Sequence, residues 1–198
     1  MGVVGLRESK RATTERAIVD SAMKLFAERG FASTTVDEIA ALAGVGRRTV
    51  FRYFRTKEDI LLDPRRLDRS YAMAALRHRQ GQINDVDLVM GVLVELQRRA
   101  FAVFRPEHQR LLHRLSHHEP AVAARSFLLM LEAANVVSEA LIPSGASSKE
   151  RLRARLLAMT CIVAVDAGVT AWVEGGMRGD LDAMLAETGS LLRRGFRR

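Results

Sequence analysis

Apolar residues recur at intervals of three and four along most of this chain, and almost no stretch alternates polar with apolar. That periodicity belongs to amphipathic helices, so the expected fold class is all-α. The sharpest pattern lies at residues 34–61. Thr35-x-x-Glu38 has the form of a capping box, in which a hydroxyl and a carboxylate satisfy each other's backbone amides at a helix start. Val36, Ile39, Ala40 and Ala43 then give that helix one apolar face, and Gly44 follows where a left-handed terminator is expected. After Val45-Gly46 a second helix begins, with Val50, Phe51 and Phe54 placed to pack back on the first. Its other face carries Arg47, Arg48, Thr49, Arg52 and Tyr53. Thr56-x-x-Asp59 caps a third helix beginning near Lys57. Two arginines in a first turn oppose the helix dipole, so their place there suggests an anion or base edge outside the protein. Two short helices on a glycine turn, the second one basic, have the form of a helix-turn-helix unit.

The remaining pattern predicts a helix over about 57–79, kinked or restarted at Pro64, and further helices near 86–104, 107–117, 121–141, 149–174 and 180–195. The last two are apolar over more than one face. Leu156, Met159, Val163 and Val173, with Ile162 and Trp172 nearby, precede a stripe of Leu181, Leu185, Leu191 and Leu192. A helix hydrophobic all round is buried by its own core or by a partner, and the pattern leaves both open. Asp166 interrupts the first of these helices, and a buried charge needs a partner. Its wheel position aligns it with Arg151 and Arg155, which favours an ion pair over a ligand contact. Asn135 falls beside a charged stripe of Arg125, Glu132 and Glu139, a solvated edge.

Thr35, Ile39, Ala40, Ala43, Gly44, Val45, Thr49, Tyr53, Phe54, Lys57 and Leu61 stand in register with the pattern of the TetR family of transcriptional regulators, which residues 10–62 resemble. The segment from Ala17 to Phe31 is similar to that family's first helix, ending in its Gly-Phe turn. Three positions depart from the pattern. Gly46 stands where Ser is usual, which costs a few tenths of a kcal/mol of capping. Phe51 replaces a tyrosine, and Arg48 replaces a small residue. The resemblance implies a nine-helix plan: a three-helix DNA-binding domain over 1–62, with 1–12 as a flexible arm, and a roughly six-helix effector-binding and dimerisation domain over 63–198. It also implies a four-helix bundle between subunits, for which Leu156, Met159, Val163, Trp172, Leu181, Leu185 and Leu192 are the candidates. It further implies an effector cavity among the middle helices. Met73, Leu76, Phe101, Phe104, Leu112, Phe127, Met130 and Met159 are the available apolar lining, with Asp166 as a second-choice ligand contact. The same residues also read as ordinary core.

Chemistry assigns roles in the DNA-binding half. Arg47 and Arg48 suit guanine O6/N7 in the major groove. Thr49 suits a thymine methyl or a phosphate, and Arg52 either a base or a phosphate. Tyr53 and Lys57 match family positions that hold phosphates. Thr35, with the amides beside it, suits a phosphate as well.

Composition agrees. The chain of 198 residues carries a net charge of +8 and a sequence pI near 10.6, which favours polyanionic partners, although an arginine-rich coding bias would give the same balance. Cys161 stands alone, which excludes an intrachain disulfide and suits a reducing cytosol. The apolar run 156–173 is short for a membrane span, and no apolar signal core follows Arg7, Lys10 and Arg11, so a cytoplasmic protein without membrane association is expected. His113 and His117 share a spacing used by two-histidine metal sites, but neither His118 nor Glu119 completes a convincing set, and no metal or cofactor is expected. There is no glycine-rich phosphate loop, nucleophile elbow or paired-carboxylate motif, and a cysteine inside an apolar helix is inert packing, so no enzyme is expected. The sequence thus reads as a homodimeric, ligand-responsive repressor of a palindromic operator, released by a small, largely apolar effector. The alternative is an ungated or architectural DNA-binding protein of the same fold.

Overall fold

The computed structural model describes residues 3–62, 69–79, 85–102 and 105–195, with the side chains of 9–62, 70–78, 85–99 and 105–195. The described residues form helices and no strand: α1 (Val3–Arg29), α2 (Val36–Leu42), α3 (Arg47–Tyr53), α4 (Lys57–Leu62), α5 (Arg69–Arg79), α6 (Asp85–Ala102), α7 (Pro106–His118), α8 (Pro120–Leu141), α9 (Ser148–Glu174) and α10 (Leu181–Arg194). The expected helix over 57–79 is described as two pieces, and Pro64 lies outside the described residues. Pro106 and Pro120, expected as breaks, open α7 and α8 instead. At a first helical position proline's missing amide has no partner to lose. Residues 3–12, expected as a flexible arm, extend α1, with Lys10 and Arg11 exposed. That stretch lacks proline, and Thr13 and Thr14 each donate to the carbonyl four residues back.

The chain divides into two compact units. The first joins residues 1–64 to 106–126. Its core sets Ile18, Met23 and Phe26 of α1 against Ile39 and Ala40 of α2, Val50 of α3, Phe54, and Ile60 and Leu61 of α4, with Leu111 of α7 and Val122 of α8. These are the three- and four-spaced positions that periodicity selects. Phe51 does not join them. It lies 100° around a short helix from Val50 and is 42% exposed.

The second unit joins residues 65–105 to 127–198. Leu76 of α5, Leu88, Val89, Val92 and Leu96 of α6, Val137 of α8, Ala158, Cys161 and Val165 of α9, and Leu185 of α10 form its core. A second capping box, Ser147 with Glu150, starts α9. Gly168 lets α9 and α10 touch. A Cβ there would lie 2.7 Å from Thr188 Oγ1 and 2.9 Å from Leu185 Cδ2. By length and composition alone α8 and α9 would suffice to cross a membrane, but α9 buries one face in this core.

Candidate nucleic-acid interface

The helix-turn-helix forms for local reasons. Thr35 Oγ1 accepts from the Glu38 amide at 3.2 Å, while the Glu38 carboxylate accepts from the Thr35 amide at 2.8 Å and from its hydroxyl at 2.8 Å. Arg29 Nη1 donates to the other Glu38 oxygen at 3.0 Å. At the far end of α2, Val45 donates its amide to Ala40 and Gly44 donates to Ala41, a Schellman pair that places Gly44 at φ +67. The chain then enters α3 through Gly46, which caps with no side-chain hydrogen bond.

Those hydrogen bonds also hold the Glu38 carboxyl below the usual glutamate range, the Thr35 amide contributing most and its hydroxyl next. A carboxyl whose value is depressed on folding stabilises the fold above its unfolded value and loses that contribution as pH falls through the folded one. Stability should therefore drop below about pH 4.5, and Glu38→Gln should flatten that acid limb in a pH series of thermal melts. A limb identical to the parent's would remove Glu38 from the account.

On α3, Val50 is buried below while Arg47, Arg48, Phe51 and Arg52 face outward, with Thr49 half-buried. Arg47 Nη1 lies 2.5 Å from Asp37 Oδ2 of α2, and its guanidinium sits 5.3 Å from the Phe51 ring centroid. Arg52 stacks 5.4 Å over Tyr53, whose ring is half-buried against the core. The guanidinium of Arg48 has no hydrogen bond or ion pair among the described residues.

Two expected phosphate holders have their donors committed inside the fold. Thr35 spends both its amide and its hydroxyl on Glu38, so a phosphate would meet the following amides and not this side chain. Lys57 Nζ donates to the carbonyls of Phe31 (2.7 Å) and Thr34 (2.9 Å) and sits 4.2 Å over the Phe31 ring. It ties the start of α4 to the turn between α1 and α2, leaving one N–H for any phosphate. Beneath α4, Asp59 is buried at 3% exposure, and Arg125 of α8 donates Nε to its Oδ1 at 2.8 Å. Arg125, read from sequence as part of a solvated stripe, thus turns inward within the first unit. Sequence reasoning missed both Asp37 and this pair, since neither contact follows helical spacing.

The expected effector lining is divided. Leu112 packs against the core of the first unit. Leu76 is in the core of the second, with Met73, Met130 and Met159 packed against it. Phe127 is 56% exposed, on the surface of α8. Phe104 lies outside the described residues, as does the side chain of Phe101. Asn135 is exposed, and His117 Nδ1 stands 2.9 Å from the His113 carbonyl with the two rings stacked. Burial pushes the Cys161 thiol up to about 12.

The dimer candidates also divide. Leu185 is buried within its own protomer, and Leu181, Trp172 and Leu192 are half-buried. Leu156 and Val163 are 59% and 50% exposed, and Leu152, which sequence reasoning passed over, is exposed beside them. Leu152, Leu156, Met159 and Val163 follow one another at intervals of four, three and four, the seam of a helix that packs on another helix. Asp166 continues that seam. It is exposed and not the buried charge expected, because the wheel position that avoids the core is the outer one. Between α9 and α10 an apolar groove of about 580 Å³ is lined by residues that include Met159, Val163, Ala167, Gly168, Met184 and Leu191.

Residues 18–63 match the family profile of bacterial regulatory proteins, tetR family. The chain is 35% identical over 92 residues to the HTH-type transcriptional repressor LfrR of Mycolicibacterium smegmatis, covering 46% of this chain and 48% of that one. It is 25% identical over 172 residues to the fatty acid metabolism regulator protein of Bacillus subtilis, covering 84% and 87%. The chain spans about a quarter to a half of the length of the first curated relatives it matches. Its fold is similar to that of the transcriptional regulator FadR from Bacillus subtilis in complex with stearoyl-CoA, with a TM-score of 0.54, 20% identity, and 89% and 96% of the two chains covered. The matched profile is one of regulatory proteins, and these relatives are named as regulators or repressors.

Proposed function

We propose, from the premise that the chain belongs to the TetR family of bacterial regulators through its match over residues 18–63, that it is a homodimeric repressor of a palindromic operator. One observation carries this reading: Arg47, Arg48 and Arg52 stand exposed on a short helix whose opposite side, Val50, is locked into the core. Such a helix can enter a major groove while its scaffold stays fixed. Arg48 is our first choice for direct guanine contact, and Thr49 and Arg52 flank it. Tyr53, Lys57 and the amides following Thr35 serve the backbone.

The outward seam of α9 supports dimerisation, because an apolar four-three repeat in water gains from a second copy. Two recognition helices about 34–36 Å apart would then read successive major grooves. The effector is proposed to be a lipophilic small molecule. The solved FadR with stearoyl-CoA and the fatty acid metabolism relative make a long-chain acyl thioester the first class to try. An inducer must bind the DNA-incompetent state more tightly, since only differential affinity shifts an equilibrium. A partner that is chromosomal DNA places the protein in the cytoplasm. The ungated reading remains the rival, distinguished by effector response alone.

Selection of binding sites from random duplex DNA at near-physiological salt tests the reading. A two-fold symmetric consensus is expected, and acyl thioesters titrated against it should release the protein. Binding without consensus that vanishes as salt rises would overturn the regulator reading. A consensus indifferent to any acyl thioester would overturn the proposed effector class.

A further inference from the structure

The first turns of α2 and α3 are joined by the ion pair of Asp37 and Arg47, in which Asp37 Oδ2 lies 2.5 Å from Arg47 Nη1. The ring of Phe51, one turn further along α3, sits 5.3 Å behind the same guanidinium. All three side chains are exposed. The pair does little for the fold, because exposed ion pairs contribute about 0–1 kcal/mol. Nor does Asp37 cap α2, a duty Thr35 and Glu38 discharge. A carboxylate beside Arg47, Arg48 and Arg52 also repels phosphates, so it weakens sequence-independent attraction to DNA.

What the arrangement does supply is a fixed donor–acceptor pattern. Asp37 takes one N–H of Arg47 and Phe51 backs the guanidinium plane, which restricts a side chain that otherwise samples many rotamers. The rest of the fork remains to meet guanine O6 and N7, a contact needing two aligned N–H groups. Asp37 keeps a second carboxylate oxygen, and a carboxylate accepts from the N4 amino group of cytosine. Guanine acceptors and the cytosine amine lie side by side on the major-groove edge of one G·C pair. We propose that Asp37 is a specificity-determining residue, which with Arg47 reads a G·C pair in each operator half-site as one unit. The inference rests on the DNA-binding reading above and goes beyond it in assigning base choice to an acidic residue of α2.

The test is site selection with the full-length protein and with Asp37→Ala and Asp37→Asn, each checked for an unchanged melting temperature. The parent should show an invariant G·C pair in each half-site. Both variants should lose about tenfold or more of the discrimination against other pairs at that position. They should also bind unrelated duplex more tightly, because a repelling charge has gone. An unchanged consensus in both variants, with affinity raised equally for all sequences, would overturn the assignment while leaving the regulator reading in place. No consensus from the parent protein would overturn the regulator reading and this inference with it.

Discussion

A protein carrying Leu156→Glu and Val163→Glu together should be folded and monomeric, and should bind its operator about 10²–10⁴ times more weakly than the parent. Both positions are more than or close to half exposed in the protomer, so the substitutions place no charge in its own core. In a dimer they would bury four carboxylates along the α9 seam, at a desolvation cost of several kcal/mol per ion. Operator affinity falls because a tethered second head binds at high effective concentration, whereas a lone head does not. Analytical ultracentrifugation and operator titration read the two effects. A double variant that still sediments as a dimer would move the interface away from α9.

The second large effect belongs to Arg125. Arg125→Met should destabilise the first unit by about 3 kcal/mol, the lower end of the range for breaking a buried pair, since Arg125 keeps 24% side-chain exposure. The cause lies in what remains. Asp59, with 4% of its side chain exposed, would hold a carboxylate in the core without this guanidinium. Asp59→Asn in the Arg125→Met background should recover much of the loss, because the amide carries no charge to desolvate. Urea unfolding of the two single variants and the double variant reads this directly. Strict additivity of the two changes would show that Asp59 and Arg125 are not coupled.

Much of the fold was legible because its signals are local. The Thr35–Glu38 box, the Gly44 terminator and the buried Ile39, Ala40, Val50 and Phe54 each depend on residues within one or two turns. Helix limits at α6 to α10 fall within two residues of those the periodicity predicts. What failed was orientation on short helices and partnership over distance. Phe51 sat one residue from a core position, and a seven-residue helix gives too few repeats to separate its faces. Lys57 reaches carbonyls that only the turn after α1 can present, 26 and 23 residues away. Arg125 and Asp59 are 66 residues apart, and nothing in the spacing of either helix points to the other. The burial of Asp166 was misread for a different reason. An apolar helix with two apolar faces has no polar side to compare it with, so a charge on the outer seam looks the same as a charge in the core.

Cys161 is the sole thiol of the chain, sealed in the core of α9 with almost no thiolate at neutral pH. A thiol reagent can therefore reach it only when the second unit opens locally. The rate of labelling is then a clock for that opening, read without adding a probe. A ligand that binds and tightens the second unit would slow the clock, whatever its chemistry and whether or not any operator is yet known. The chain thus carries its own assay for small-molecule binding, one that asks about breathing of the second unit and leaves the DNA out.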